Sequence, residues 1–325
     1  NYAFPSLVKF DYNGDTVWAK HYDFDTSAYY QASVCRTTAN GEILLVGAVA
    51  QHENFPGKFD YYVIRLDTSG NIIWQKTYGS PGVSEKGTTI NEMQDGRLLI
   101  SGVSINANNT AGFPWVIITD ALGNMEWQKY YLHPAMSGGI GGTMPSRTGG
   151  FILLGMADTL INANDHPING YIARVNSSGD VRWKRIFNSR GFTSIWDFYE
   201  LDNGDIVFSG EQDDTLTGKK VGFIALVDSN SNTRWWRTYY ELINGPHFLS
   251  CVRPAPDGGF VAVGSTFSVT TPISQDAWII KTDSLGCVIS NCQLSVHEIP
   301  KQSNKLNCFP NPADQLLNIR SDEKG

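Results

Sequence analysis

Three carboxylates fall within four residues at Glu211, Asp213 and Asp214. Carboxylates so placed can act as acid and base on a glycosidic bond, provided a partner group comes from another segment. Five of the six histidines, His21, His52, His133, His166 and His247, lie on or beside the longer connections. Imidazoles gathered on one face could ligate a metal or accept protons. No two of them have the spacing of a metal-ligand pair, so they read as exposed loop histidines, and neither a metal nor a cofactor is expected. Trp196 stands where the other repeats carry Ser33, Thr88, Gly141 and Ser250. One large ring among small residues either plugs a channel or stacks on a ligand. Trp196, His52, His133, His247, Glu211, Asp213 and Asp214 are therefore the candidate ligand-binding residues, and no catalytic residue is assigned. The acidic turns Asp11–Asp15 and Asp67–Asn71 lack the ligand series and distal glutamate of a calcium loop and read as turn chemistry.

The elements that must hold these residues come from an internal repeat. An apolar segment ending in Asp or Asn, a turn, and a second segment carrying Trp recur six times, from LVKFDYNGDTVW at Trp18 to IIKTDSLGCVIS at Ser290. The register positions are Trp18, Trp74, Trp127, Trp183, Trp235 and Ser290, spaced by 56, 53, 56, 52 and 55 residues. The acid or amide lies seven residues before each, and a glycine four before, except that the fifth copy has Ser231. A second marker ends at Gly47, Gly102, Gly155, Gly210 and Gly264, again about 54 residues apart.

Each repeat parses into four short strands. The Asn-Gly, Asp-Gly and Asp-x-x-Gly turns between first and second strands, and between third and fourth, supply the positive φ that tight hairpins need. Four antiparallel strands per repeat predict an all-β fold, a β-propeller of four-stranded antiparallel blades. Six blade positions are favoured, with the first incomplete and the chain near 288–299 available to complete it; five is the alternative. The glycine turns then share one face and the long loops the other, which is the expected working face. The register tryptophans, and the third-strand column Tyr62, Trp115, Tyr171, Phe223 and Trp278, are expected to pack blade on blade.

The 325 residues carry 25 Lys+Arg against 32 Asp+Glu, a net charge of −7. That balance, without a basic block, argues against nucleic acid as a partner. No apolar run is long enough to be a transmembrane helix. Among five cysteines, Cys287 and Cys292 flank a short step suited to a local disulfide, whereas Cys35 and Cys251 read as separate buried thiols. Residues 1–292 form the expected propeller, 293–307 a polar linker, and 308–325 a separate segment with a strand around Leu316, Leu317 and Ile319.

The repeats, typified by LDTSGNIIWQKTYG, and the tail CFPNPADQLLNI together resemble secreted bacterial propeller proteins with a type IX secretion-system type A C-terminal sorting domain, here incomplete. The resemblance implies that Pro310, Asn311 and Pro312 belong to a sorting signal read by the secretion machinery. It further implies passage through the periplasm to the outer-membrane surface or the medium, and it implies no activity. The Gly-x-x-x-Trp spacing is also similar to the tryptophan-docking motif of quinoprotein propellers, where it is structural. The leading expectation is a non-catalytic secreted propeller that binds a protein or glycan through its long loops. A polysaccharide lyase or hydrolase on the same scaffold and a structural cell-envelope component are the alternatives.

Overall fold

The computed structural model describes residues 4–22, 28–51, 58–105, 112–131, 137–158, 168–187, 192–214, 217–240, 245–268, 274–288, 306–309 and 318–321. All regular structure among them is β-strand, and no helix is long and apolar enough to cross a membrane. The chain divides into two compact units, Asn1–Ile195 and Trp196–Gly325.

The first unit opens with a hairpin of β1 (Ser6–Phe10) and β2 (Thr16–His21). Three four-stranded antiparallel meanders follow. They comprise β3 (Ala28–Thr37), β4 (Ile43–Gln51), β5 (Asp60–Leu66) and β6 (Ile72–Tyr78); β7 (Ser84–Glu92), β8 (Leu98–Ile105), β9 (Gly112–Thr119) and β10 (Met125–Tyr130); and β11 (Ser137–Pro145), β12 (Phe151–Asp158), β13 (Ile168–Val175) and β14 (Val181–Phe187). The division between units falls inside β15 (Thr193–Glu200), which pairs with β16 (Ile206–Asp213), β17 (Lys220–Val227) and β18 (Thr233–Tyr239). The second unit also holds a three-stranded sheet of β19 (His247–Pro254), β20 (Phe260–Ser268) and β21 (Ser274–Thr282). A last pair, β22 (Leu306–Phe309) and β23 (Asn318–Ser321), brackets the Pro-Asn-Pro tail; β22 takes in the last two residues of the expected linker. Pro310, Asn311, Pro312, Leu316, Leu317 and most of the linker lie outside the described residues.

The second and third strands of the complete sheets are buried on both faces, which is why ILLVG reads as an unbroken apolar run and YVIRL is interrupted only by Arg65, itself buried and paired with Glu42. Leu44, Val46, Tyr61 and Val63 of one sheet pack on Leu98, Ile100, Trp115 and Ile117 of the next. Leu99, Val116 and Ile118 then pack on Phe151, Leu153, Tyr171 and Ala173. The fourth strands bury one face only.

Both repeat markers acquire a physical reason. Gly47, Gly102, Gly155, Gly210 and Gly264 sit opposite the aromatic column Tyr62, Trp115, Tyr171, Phe223 and Trp278. A β-bulge in the first strand leaves Ser33, Thr88, Gly141 and Ser250 out of register, the column that Trp196 occupies in β15. At Gly47 a Cβ would fall 1.9 Å from the Gln31 carbonyl oxygen, and at Gly264 1.9 Å from that of Phe248, so only glycine fits beside the bulge.

The Trp marker is the centre of a three-point clasp. Within the first unit, the rings of Trp18, Trp74 and Trp127 lie against Gly70, Gly123 and Gly179 of the following sheet, where an added Cβ would fall 3.0, 3.0 and 2.9 Å from a ring carbon. Four residues on, the hydroxyls of Tyr22, Tyr78 and Tyr131 donate to the carbonyls of the same glycines at 3.0, 2.7 and 3.0 Å. Between them Lys20, Lys76 and Lys129 reach Asn71, Asn124 and Asp180 at 2.7, 2.7 and 3.0 Å. In the second unit Trp235 and Tyr239 close on Gly286 in the same way, with the hydroxyl 2.6 Å from its carbonyl. Alternation along a strand puts residues i, i+2 and i+4 on one face, so Trp-x-Lys-x-Tyr is a single gripping surface.

The acids that open these turns are fully engaged. Asp67 Oδ1 accepts the backbone N–H groups of Ser69 and Asn71 at 2.9 and 2.8 Å, and Asp120 and Asp228 repeat the pattern. Hydrogen bonds from the backbone and side-chain amides of Asn71 and Asn124, and from the side chain and then the backbone of Asn232, hold the three carboxyls below the usual range. The calcium-like spacing is thus a hydrogen-bonded turn.

Cys35 and Cys251 are separate free thiols, but the expectation of burial is corrected: Cys35 is exposed and Cys251 half-buried. Both lie on first strands beyond the bulge, where only one face is covered. Cys287 is disulfide-bonded, while Cys292 lies outside the described residues.

Candidate functional site

Trp196 belongs to a cluster of four residues in the second unit, with Glu211, Phe248 and Phe267. The indole ring is 47% exposed in the middle of β15. The Glu211 carboxylate, towards the end of β16, lies close enough for the indole to draw its pKa down. Phe248 of β19 lies 6.4 Å away between ring centroids, and Phe267 of β20 a further 5.8 Å from Phe248, tilted by 38° and 33°. The three rings make a row, with Phe248 and Phe267 half-buried.

Polar groups border the row. Glu211 is half-buried, and burial pushes its carboxyl above the usual range, with Asp213 adding to the push while Lys220 and the indole oppose it. Asp213 pairs with Lys220 across β16 and β17 at 3.2 Å. Next along the chain, Asp214 accepts the Thr217 hydroxyl at 2.6 Å in the turn that follows β16. The three carboxylates singled out by sequence therefore have three different situations, and only Glu211 comes under the influence of the indole.

Of the described histidines, His247 does not join them. His247 is 2% exposed and packs edge-on to Trp278 at 5.4 Å, which corrects its reading as an exposed loop residue open to a ligand. Alternation along β19 turns His247 inward and Phe248 outward. His52, His133 and His166 lie outside the described residues. Among the described residues no group of three or more His, Cys, Asp or Glu side chains could hold a metal ion. Phe248 and Phe267 were not legible as site residues, since phenylalanine in a strand normally signals core. Their one sequence signal is position: each sits at the long-loop end of its strand.

An aromatic row edged by a carboxylate and a paired Asp–Lys can hold a flat, hydroxylated ligand. Ring faces take the C–H face of a sugar, and the edge groups take its hydroxyls.

No family model matches the chain, and no curated protein matches it. Solved structures do. A protein of unknown function from Dyadobacter fermentans aligns at TM-score 0.50 and 13% identity, over 78% of this chain and 79% of that one. An α-L-arabinanase of Penicillium chrysogenum, complexed with arabinobiose, aligns at 0.50 and 12%, over 86% of each chain. An ulvan lyase aligns at 0.52 and 12%, over 80% of this chain and 65% of that one. The fold is that of β-propeller repeat proteins. At such identity the likeness is one of fold alone.

Proposed function

We propose that this propeller repeat protein engages a polysaccharide through Trp196, Phe248 and Phe267, with Glu211 and the Asp213–Lys220 pair at the edge. The carrying observation is Trp196 itself: a half-exposed indole, beside a half-buried acid, at a position where the other repeats carry Ser, Thr or Gly. Fold likeness to an arabinanase and an ulvan lyase supports a glycan as the class of ligand. Export by the type IX route, with Pro310-Asn311-Pro312 in its sorting signal, belongs to the same proposal and rests on the tail sequence.

Turnover is the second reading, and Glu211 favours it. A carboxyl raised by burial can hold a proton for a leaving group. The test is a panel of purified polysaccharides, ulvan and arabinan included, assayed for binding by calorimetry and for cleavage by new chain ends. Trp196→Ala should weaken binding about tenfold or more, the loss of one stacking platform worth about 1.5 kcal/mol, while melting stays unchanged. Equal binding by wild type and variant, or none by wild type, would sink the proposal. Cleavage abolished by Glu211→Gln would make the site catalytic; binding without cleavage would leave a recognition module.

A further inference from the structure

At the glycine-turn end of the first unit's sheets, the last residues of three successive first strands line one cavity of about 460 Å³. β3 contributes Arg36 and Thr37, β7 contributes Asn91 and Glu92, and β11 contributes Pro145. Register explains the meeting. Arg36 and Asn91 stand opposite the equivalent Leu44 and Leu99 of the second strands, and Thr37, Glu92 and Pro145 opposite Ile43, Leu98 and Phe151. The turn that follows β7 adds Met93 and Gln94 to the wall.

The polar groups on this wall are held in fixed orientations. The side-chain amide nitrogen of Asn91 donates to the Thr143 carbonyl at 2.8 Å and reaches the Thr89 hydroxyl at 3.3 Å. A carbonyl oxygen only accepts, so the nitrogen is committed there and Asn91 Oδ1 is left as an acceptor. The Thr89 and Ser101 hydroxyls each lie 3.0 Å from that of Thr143, and all three residues are buried, so the support is rigid. Glu92 Oε2 accepts the Ala39 N–H at 2.7 Å, which leaves Oε1, 4.0 Å from Arg65 Nη2, without a hydrogen bond among the described residues. Arg36 spends Nη1 on the Cys35 carbonyl at 3.2 Å and keeps its other N–H donors. Met93 and Pro145 supply apolar wall.

A guanidinium with free donors takes a carboxylate or a sulfate through paired hydrogen bonds. Fixed acceptors take hydroxyl hydrogens, and apolar wall takes C–H groups. A single ring that carries an anionic group, hydroxyls and C–H surface is an acidic sugar. Arg36 and Gln94 are exposed, so the cavity is an open notch, suited to one residue of a longer chain. The net charge of −7 gives an acidic chain no general attraction, which puts the recognition on Arg36.

We propose that this cavity binds an acidic sugar residue of a polysaccharide, with its carboxylate or sulfate ester on Arg36 and its hydroxyls on Asn91 Oδ1 and Glu92. No residue of the Trp196 row takes part, so either reading can fail without the other. The experiment is calorimetric titration of the full chain with trigalacturonate, with a sulfated galactan oligosaccharide and with its unsulfated counterpart. Expected are binding of an acidic probe, binding of the neutral probe weaker by about tenfold or more, and a loss of about tenfold or more in Arg36→Ala. The tighter of the two acidic probes identifies the anionic group. Arg36→Lys should fall between wild type and Arg36→Ala, since it keeps the charge and loses the fork. Arg36 is exposed, so both variants should melt as wild type does. Repeating the comparison in Trp196→Ala, which lacks the other platform, should give the same dependence on Arg36. No binding of either acidic probe by wild type, or equal binding by wild type and Arg36→Ala in that background, overturns the proposal. So does inorganic sulfate or a triglutamate peptide bound as tightly as the sugars, which would make this a site for any anion.

Discussion

Ser231 holds φ at 71°, where the equivalent Gly70, Gly123, Gly179 and Gly286 hold 77°, 76°, 81° and 76°. It is the only non-glycine residue with positive φ among those described. A side chain in the left-handed region costs roughly 1–2 kcal/mol, because Cβ crowds the following carbonyl. The Asp228 turn nevertheless forms, with Ser231 N–H donating to the Asp228 carbonyl at 2.9 Å. Ser231→Gly should therefore stabilise the protein by about 1 kcal/mol, read from the urea midpoint. A neutral or destabilising result would mean that the serine side chain returns more than its strain costs.

At the scale of the strand, stability is concentrated where one sheet grips the next. Trp127 stacks on Phe151 at 6.4 Å and covers Gly179, while Tyr131 bonds the Gly179 carbonyl. Trp127→Ala would open a gap between the two sheets and leave the stem of Lys129 without its aromatic neighbour. Because the indole is half-buried, the loss should be about 3 kcal/mol, the lower end for a large aromatic. Chemical denaturation measures it, and a loss under about 1 kcal/mol would show the ring to be spare. The Trp in each repeat was legible as a packing residue. The lysine and tyrosine two and four places later were not, since Lys and Tyr in an exposed strand ordinarily signal solvent.

At the scale of the molecule, the tail pair β22 and β23 forms its own two-stranded sheet and hydrogen-bonds no other described strand. A chain cut after Lys305 should melt within about 1 °C of the full one, since no sheet core is removed. Under the export proposal, the same cut should hold the protein in the periplasm of its host. Surface delivery of the cut chain would refute the sorting role, and a large fall in melting temperature would make the tail part of the propeller.

The sequence alone determined the repeat, the four-strand unit and both glycine turns, because each depends on contacts close along the chain. A turn needs positive φ within four residues, and a buried strand needs an unbroken apolar run. Only the tertiary structure decided which side chains share a surface. It turned His247 inward and Phe248 outward, set Trp196 near Glu211, gave Asp213 to Lys220, and buried Oε2 of Glu85 without a hydrogen-bond partner. Those outcomes depend on pairing register and on what the neighbouring sheet covers, and neither is encoded within a single repeat.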